Sequence, residues 1–296
     1  MSHDRQPVVG VVIPVYNDWA GLQRCLQALA RQSYPSDLLR VRVVDNGSSD
    51  WPQQPVFPLP VEVIRHPKPG SYGARNQAAL GWGVDVLVFT DADCEPDAEW
   101  IAAGVKALEL GAVPPRVVAG RIQLVARQPD RPSLGEQLDQ ILGFDQERTV
   151  RRAGFGVTAN LFVPRVLFEQ LGGFYRRTRS GGDRDFCQRA VAAGAGLIFS
   201  RESLVGHPAR DWRDLVMKQR RIIGGRLALA ANSPAARFTV LLLSLRPLAS
   251  ESVRVCRYPE LDYLRRLRLL GLVWMIRWQV LLEWVRLQSR HQVPLR

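Results

Sequence analysis

The sequence is poor in cysteine and contains no long apolar run. Its four cysteines, Cys25, Cys94, Cys187 and Cys256, lie far apart and form no CxxC motif, which excludes a disulfide scaffold and a zinc ribbon. No stretch of about 18 or more uncharged apolar residues occurs, so we expect no ordinary membrane span. The N-terminal segment MSHDRQP lacks the basic and apolar regions of a signal peptide. These absences predict a cytoplasmic protein in a reducing environment.

Acidic residues are outnumbered by basic ones. The chain has 40 Lys and Arg against 28 Asp and Glu, a formal net charge of +12. Such an excess favours an anionic partner: nucleic acid, nucleotide phosphates or an acidic membrane surface. With 46% hydrophobic residues in 296, the chain can bury one large core or two smaller ones, which excludes disorder as its main state.

Short β-branched runs alternate with segments of helical period. This rhythm predicts an α/β fold with a parallel or mixed sheet covered by helices. Strands are predicted over 8–13, 41–44, 61–64, 86–89, 117–125 and 197–200, and crossover helices over 22–30 and 71–80. The segment 51–60 holds four prolines, so it is predicted as a surface connection.

The composition changes after about residue 208. From there the chain is rich in Leu, Trp and Arg, and helices are predicted over 211–231, 235–248 and 261–290. We therefore expect an α/β domain over 1–210 and a basic helical C-terminal extension over 211–296.

Aspartates follow two of the predicted strands. Asp45 precedes the turn NGSSD, while Asp91 and Asp93 follow the apolar run 86–89. In open α/β sheets, ligands bind beyond the carboxyl ends of the strands. Asp45 alone is equally explained as a turn residue. Two carboxylates as close as Asp91 and Asp93 repel each other, and either a divalent cation or exposure to solvent would reduce this repulsion.

Six ordered motifs resemble the family 2 glycosyltransferases, which have the GT-A fold. The resemblance covers roughly residues 8–226, and the set is far more specific than a bare DxD. The motifs are VVIPVYND (11–18), VVDNGSSD (43–50), GARNQAAL (73–80), DADCEPD (91–97), GVTANLFVPRVLFEQLGGF (156–174) and GGDRDFCQRAVAAG (181–194).

This resemblance implies a nucleotide-sugar donor, with a UDP-sugar expected. Asp45 would read the base, because a carboxylate accepts a hydrogen bond from a uracil N–H. Arg75 would contact phosphate or ribose, although an arginine on a helix is by default solvated. The side chains that would line the same nucleotide pocket are Pro14, Tyr16 and Asn17.

The same resemblance implies a divalent cation, Mg2+ or Mn2+. Asp91 would lie beside the ribose and the metal, and Asp93 would bind the metal. The cation would neutralise the diphosphate as it leaves. His207, in the phrase VGHPAR, is a further candidate ligand, although a lone histidine is more often structural or exposed.

The resemblance also implies a general base, since an acceptor hydroxyl is a poor nucleophile until it loses its proton. The family uses the Asp of a Glu-Asp pair, and the matching position is Asp183. Gly182 replaces the Glu, a departure from the family pattern. Asp185 is the other candidate, and Asp183 could simply cap the following helix. Direct displacement assisted by Asp183 would invert the anomeric configuration.

A basic cluster follows on the next predicted helix and holds Lys218, Arg220, Arg221 and Arg226. Family members often direct one such arginine at the diphosphate, and we predict this role for Arg221. Alternatively, the whole cluster is a solvated face of the helix. The QxxRW motif of processive synthases is absent, because Gln219 is followed by Arg-Arg-Ile-Ile. This argues against a cellulose-synthase-like polymerase.

The C-terminal segment 261–290 combines arginines with tryptophans. On a helical projection Arg265, Arg268, Gln279, Glu283, Arg286 and Arg290 share one side. Such a helix suits peripheral contact with the inner face of an anionic membrane. It could equally pack on the catalytic domain or on a second subunit, with the arginines in water.

The sequence thus predicts an inverting, metal-dependent glycosyltransferase that acts in the synthesis of cell-surface glycans or glycolipids. Its acceptor would be a glycan, a lipid-linked sugar carrier or a small molecule. A nucleotidyltransferase of related architecture would need a Gly-rich phosphate loop that PVYND lacks. No nucleic-acid-binding motif is present, so we expect no nucleic-acid partner. A protein that binds nucleotide-sugars without catalysis stays an alternative, because Gly182 departs from the pattern.

Overall fold

The computed structural model describes residues 5–49, 52, 55–175, 181–229 and 233–289. Over these residues the chain divides into two units. The first comprises residues 1–123 and 145–207, and the second comprises 124–144 and 208–296. The domain boundary predicted near residue 210 stays a prediction, and the grouping of 124–144 with the C-terminal residues was not foreseen. The predicted surface connection 51–60 is described only in part, and Ala231 and Arg290 lie outside the described residues.

Eight strands form one sheet within the described residues, in the order β3-β2-β1-β4-β7-β6-β8-β5. Strands β1 to β4 pair in parallel, β7 is antiparallel to β4 and β6, and β5 is antiparallel to β8. The predicted mixed sheet is therefore confirmed. The strands are β1 (Val9–Val15), β2 (Leu39–Asp45), β3 (Glu62–Arg65), β4 (Val86–Phe89), β5 (Glu95–Pro96), β6 (Arg116–Val125), β7 (Leu161–Pro164) and β8 (Gly196–Pro208).

Eleven α-helices accompany this sheet in the described part of the chain, and a short 3-10 helix spans Ser36–Leu38. The helices are α1 (Trp19–Leu29), α2 (Ser71–Ala79), α3 (Trp100–Leu108), α4 (Leu134–Leu142), α5 (Gln146–Ala153), α6 (Arg165–Gln170), α7 (Gly182–Ala192), α8 (Trp212–Leu229), α9 (Pro234–Leu245), α10 (Pro247–Arg257) and α11 (Tyr263–Ser289).

The centre of the first unit is built from apolar strands that are covered on both faces. All four residues of β4 are fully buried, and β1 lies between β2 and β4 with only Pro14 partly exposed. Continuous apolar runs of this kind suit the middle of a parallel sheet. Because β1, β2 and β4 run in the same direction, the segments that follow them emerge at one edge of the sheet.

Phe174 organises the packing of α2, α6 and α7 in the first unit. Its ring centroid lies 5.0 Å from that of Phe89 on β4, 5.2 Å from those of Phe168 and Phe186, and 5.5 Å from that of Tyr72 on α2. Asn76 on α2 fixes the backbone of Phe174, since its amide donates to the carbonyl at 2.7 Å and accepts from the N–H at 2.8 Å.

The second unit is helical and buries an ion pair. Arg277 on α11, 5% exposed, contacts Glu251 on α10 and donates to the Ser244 carbonyl at 3.2 Å.

The single helix predicted over 235–248 is wrong at its C-terminal end. Helix α9 stops at Leu245 and α10 starts at Pro247, because the ring of proline and its missing N–H disfavour continuing a helix. No helix in the described part of the chain has the length and apolarity needed to cross a membrane.

Close packing of α3 on β7 allows a test of the first unit. A Cβ on Gly104 would lie 2.2 Å from the Phe162 ring, so Gly104→Ala overpacks the core. We expect a loss of about 1–3 kcal/mol in the free energy of unfolding, despite a gain of up to about 1 kcal/mol in helix propensity. Urea denaturation measures the difference. Gly83→Ala is the matched control, since a Cβ there meets nothing within 4 Å; equal stability of the two variants would contradict the packing argument.

Candidate active site

The loops after β1 and β2 are tied together at the carboxyl edge of the sheet. Asp45, the last residue of β2, is 5% exposed and accepts a hydrogen bond from the Ser48 N–H at 2.9 Å. The Asn17 N–H donates to the Ser48 hydroxyl at 2.9 Å, and the Asn17 side-chain oxygen accepts from the Ser49 N–H at 2.9 Å. Asn17 adopts a left-handed backbone with φ 49°, which asparagine tolerates better than most residues. The turn role of Asp45 is therefore present, beside an exposed Tyr16.

The Asp91-Ala-Asp93 turn follows β4 directly and is held by hydrogen bonds of the residues on either side of it. The Thr90 hydroxyl donates to the Ala159 carbonyl at 3.0 Å, and the Cys94 N–H donates to the Asp91 carbonyl at 3.1 Å. Both Asp91 and Asp93 keep about a third of their side chains exposed. Glu95 and Pro96 then form β5, whose pairing with Gly206 and Val205 of β8 brings the next residue, His207, to the turn.

Asp93 and His207 form a donor set that fits a divalent cation. His207 Nε2 lies 3.6 Å from Asp93 Oδ2, and the His207 side chain is 3% exposed. Cys94 is close enough to complete a three-residue cluster, but burial raises the pKa of its thiol well above the usual range. A neutral thiol is a weak ligand. Carboxylate oxygens with one imidazole suit Mn2+, and carboxylates suit Mg2+.

Arg75 on α2 joins the turn to the neighbouring helix. Its guanidinium is 3% exposed and forms a short ion pair with Asp91 Oδ1. Its Nε is buried without a hydrogen-bond partner among the described residues. A buried guanidinium with an unused N–H can donate to a phosphate or ribose oxygen. The default of a solvated arginine is therefore wrong for Arg75.

Tyr72 lies between Arg75 and Asp183. Its ring centroid is 5.9 Å from the Arg75 guanidinium carbon, and its hydroxyl lowers the pKa of the Asp183 carboxyl, as a hydrogen-bond donor does. A Cβ on Gly182 would lie 2.8 Å from the Tyr72 ring. The ring therefore occupies the space that a larger residue at position 182 would need, which gives a physical reason for glycine there.

Asp183 is poised in the first turn of α7. It is 9% exposed, and burial raises the pKa of its carboxyl above the usual value, against the lowering effects of the Arg184 N–H, Tyr72 and Arg75. The helix is capped by Gly181, so the interpretation of Asp183 as the N-cap is wrong. Asp185 is engaged elsewhere, accepting from Arg189 Nε at 2.9 Å.

Most of the residues singled out in the sequence lie in the first unit. Arg75 and Asp91 are joined directly, Asp183 through Tyr72, and Asp93 is paired with His207; Pro14, Tyr16, Asn17 and Asp45 lie at the same sheet edge. Arg221 is exposed on α8 in the second unit, and its role stays a prediction. Tyr72 was missed, although it precedes Arg75 by three residues and so shares its helix face.

The sequence matches the family model of glycosyl transferase family 2 over residues 10–163. This chain belongs to glycosyl transferase family 2. The relatives that it matches are named glycosyltransferases, and the protein is accordingly a glycosyltransferase.

Two relatives show the extent of the similarity. Glycosyltransferase AglE of Haloferax volcanii is 32% identical over 227 residues, covering 75% of this chain and 73% of AglE. The pre-mycofactocin glycosyltransferase of Mycobacterium tuberculosis is 29% identical over 249 residues, covering 79% of this chain. The match spans only 51% of the mycobacterial protein.

Two solved structures support the GT-A fold. The mannosyltransferase PcManGT from Pyrobaculum calidifontis, in complex with GDP-Man and Mn2+, superposes with a TM-score of 0.60 at 18% identity, covering 98% of this chain and 89% of PcManGT. TarS 1-349 from S. aureus, in complex with UDP-GlcNAc, gives a TM-score of 0.50 at 17% identity, covering 91% of this chain and 72% of that one.

A hydrogen bond from the Tyr72 hydroxyl to the Asp183 carboxylate, which the effect of Tyr72 on the pKa of Asp183 indicates, can be tested by titration. Because this bond favours the ionised carboxylate, Tyr72→Phe should raise the pKa of Asp183 further. Carbon NMR of the carboxyl groups, with the Asp183 signal assigned through Asp183→Asn, measures the shift. Tyr34→Phe is the control, since Tyr34 donates to the Pro7 carbonyl instead. An Asp183 pKa that is the same in wild type and Tyr72→Phe would exclude the bond.

Proposed function

We propose that this glycosyltransferase moves a sugar, with inversion, from a UDP-sugar to a hydroxyl acceptor in a reaction that needs Mg2+ or Mn2+. One observation carries the proposal: a buried carboxyl with a raised pKa, Asp183, is connected through Tyr72 and Arg75 to Asp91 of the DxD turn. A candidate base and a candidate cation site thus meet in one unit of the protein.

The donor nucleotide is proposed to bind at the loops after β1 and β2. Asp45 can accept from the N–H of a base while its other contacts hold the loop in shape. Pro14, Tyr16 and Asn17 would line this pocket. The neighbours solved with UDP-GlcNAc and with GDP-Man support a nucleoside diphosphate donor. Guanine also offers N–H groups, so a panel of UDP- and GDP-sugars is the direct test of the base.

Asp91, Asp93 and His207 would hold the cation. The cation, when bound, supplies positive charge that stabilises the departing diphosphate. Arg75 adds a fixed positive charge beside Asp91, and its unpaired Nε can donate to a phosphate or ribose oxygen. Both features favour an anionic ligand at this edge.

Asp183 would act as the general base. Its carboxylate takes the proton of the acceptor hydroxyl as that oxygen bonds to the anomeric carbon, and the bond from this carbon to the diphosphate breaks with its electron pair leaving on phosphate. Attack on the face opposite the leaving group inverts the configuration. A carboxyl whose pKa is raised by burial is a stronger base than an exposed one. The proposed acceptor is a glycan, a lipid-linked carrier or a small molecule, in cell-envelope synthesis.

Asp93→Ala tests the cation site. In the wild type, a bound donor should raise the thermal midpoint, and more so with Mn2+, by mass action on the folded state. The variant should lose the Mn2+-dependent part, because one ligand of the cation is gone. Differential scanning fluorimetry with UDP-sugars, with and without Mn2+, measures this. Asp37→Ala removes an exposed carboxylate of equal charge and should keep the effect; its persistence in Asp93→Ala would refute the assignment.

Asp183→Asn tests the base. Transfer should fall by about 10²–10⁴-fold, while donor binding is kept. Asp185→Asn is the matched control and should retain transfer. Turnover that is unchanged in Asp183→Asn, or lost only in Asp185→Asn, would remove Asp183 from the mechanism.

Asp183→Asn should also change the thermal stability of the protein in a way that depends on pH. Because the pKa of Asp183 is raised by folding, its ionisation costs stability as pH rises through the folded-state pKa. Asp183→Asn should therefore raise the thermal midpoint at neutral pH, with the gain shrinking toward acidic pH. A midpoint lowered at neutral pH would contradict the dominance of burial.

A further inference from the structure

The solvent-facing side of α11 is apolar beyond Arg268. Its exposed large side chains recur three, four or seven residues apart, which places them on one side of the helix, and we call them the apolar stripe: Leu264, Leu267, Trp274, Trp278, Leu282 and Val285. Trp274 and Trp278 are 61% and 59% exposed. From Leu264 to Val285 the stripe extends about 32 Å at 1.5 Å per residue.

The inner side of α11 is apolar and also buries paired charges. Its buried apolar side chains are Leu269, Val273, Ile276, Val280 and Leu287. Glu283 is 3% exposed and is paired with Arg286 at 2.7 Å and with Arg220 of α8 at 3.9 Å. Arg277 is buried against Glu251. The helix is therefore apolar on its buried side and carries tryptophans on its outer side as well, unlike an amphipathic helix whose outer side is polar. An exposed apolar surface of this length indicates an interaction site.

The net charge around the stripe favours an anionic partner over a second copy of this chain. Residues 208–296 contain 17 Arg and Lys against six Asp and Glu, so this segment carries +11 of the chain's net +12. Arg265 and Arg268 are exposed beside the N-terminal end of the stripe. In a symmetric dimer built on the stripe, two surfaces of the same positive sign would meet, and the net charge opposes self-association.

We propose that the apolar stripe docks on an anionic lipid surface, with α11 lying in the plane of the interface. Tryptophan and leucine would insert at the level of the headgroups while the flanking arginines contact lipid phosphates. Helix α9, joined to α11 by the bond from the Trp284 indole to the Arg237 carbonyl at 3.1 Å, adds exposed Phe238, Leu242 and Leu243. This inference does not rest on the proposed reaction.

Cosedimentation with vesicles tests the proposal on the full chain. The wild type should pellet with vesicles of phosphatidylcholine mixed with phosphatidylglycerol, and less with phosphatidylcholine alone. Trp274→Glu/Trp278→Glu should weaken binding by more than about tenfold, whereas Trp274→Phe/Trp278→Phe should retain most of it. The control is Val56→Glu/Val113→Glu, which changes the net charge equally at exposed positions of the first unit.

A second variant and a second measurement guard against a folding defect. Leu282→Gln/Val285→Gln, without added charge, should also weaken vesicle binding, and circular dichroism should match the wild type. Wild-type protein that stays in the supernatant, or glutamate variants that pellet like the wild type, would overturn the proposal. A dimer in light scattering that Trp274→Glu/Trp278→Glu dissociates would assign the stripe to a second copy and overturn it as well.

Discussion

The contact between Tyr72 and Gly182 is the constraint on which the candidate active site depends. The ring lies so close to the Gly182 backbone that a Cβ would be 2.8 Å away. Its position is fixed from behind by Phe174, whose ring touches Tyr72 and whose backbone is bonded twice to Asn76 of the same helix. The aromatic core therefore sets the distance between α2 and the first turn of α7.

This constraint explains why the glutamate of the Glu-Asp pair is absent from this chain. A glutamate at position 182 would displace Tyr72 and with it the hydroxyl that lowers the pKa of Asp183. In this chain the neighbour of the proposed base is a phenol from another helix. The departure at Gly182 is thus matched by a compensating residue, which weakens the case for a protein that binds nucleotide-sugars without catalysis.

Arg75 faces two carboxylates with one charge. It is paired with Asp91 and lowers the pKa of Asp183 by its charge. A phosphate bound at its unpaired Nε would add a third anion, and each anion would weaken the attraction of the Arg75 guanidinium for the other two. Donor binding and the basicity of Asp183 are therefore expected to be coupled through this single buried guanidinium, which a solvated lysine could not achieve.

The sequence predicts the strands that carry the site because β1, β2 and β4 are apolar runs followed by turn residues. It does not predict β5, which has two residues and exists only through its pairing with β8, although this pairing brings His207 to Asp93. Nor does it reveal Tyr72, because its partners Asp183 and Phe174 are about a hundred positions away. Periodicity and local propensity contain no information on such contacts.

Helix α11 shows why helical periodicity alone misjudges which side faces water. The projection places Glu283 and Arg286 on one polar side, but the side that is exposed is set by partners on other helices. Glu283 finds Arg220 and Arg277 finds Glu251, so burying these charges costs less than their desolvation alone would suggest. The inner side also buries Leu269, Val273 and Val280 in the core of the second unit, so α11 is apolar on both its inner and its outer side. Ion pairs inside and tryptophans outside are stable together when the outer side has an apolar partner.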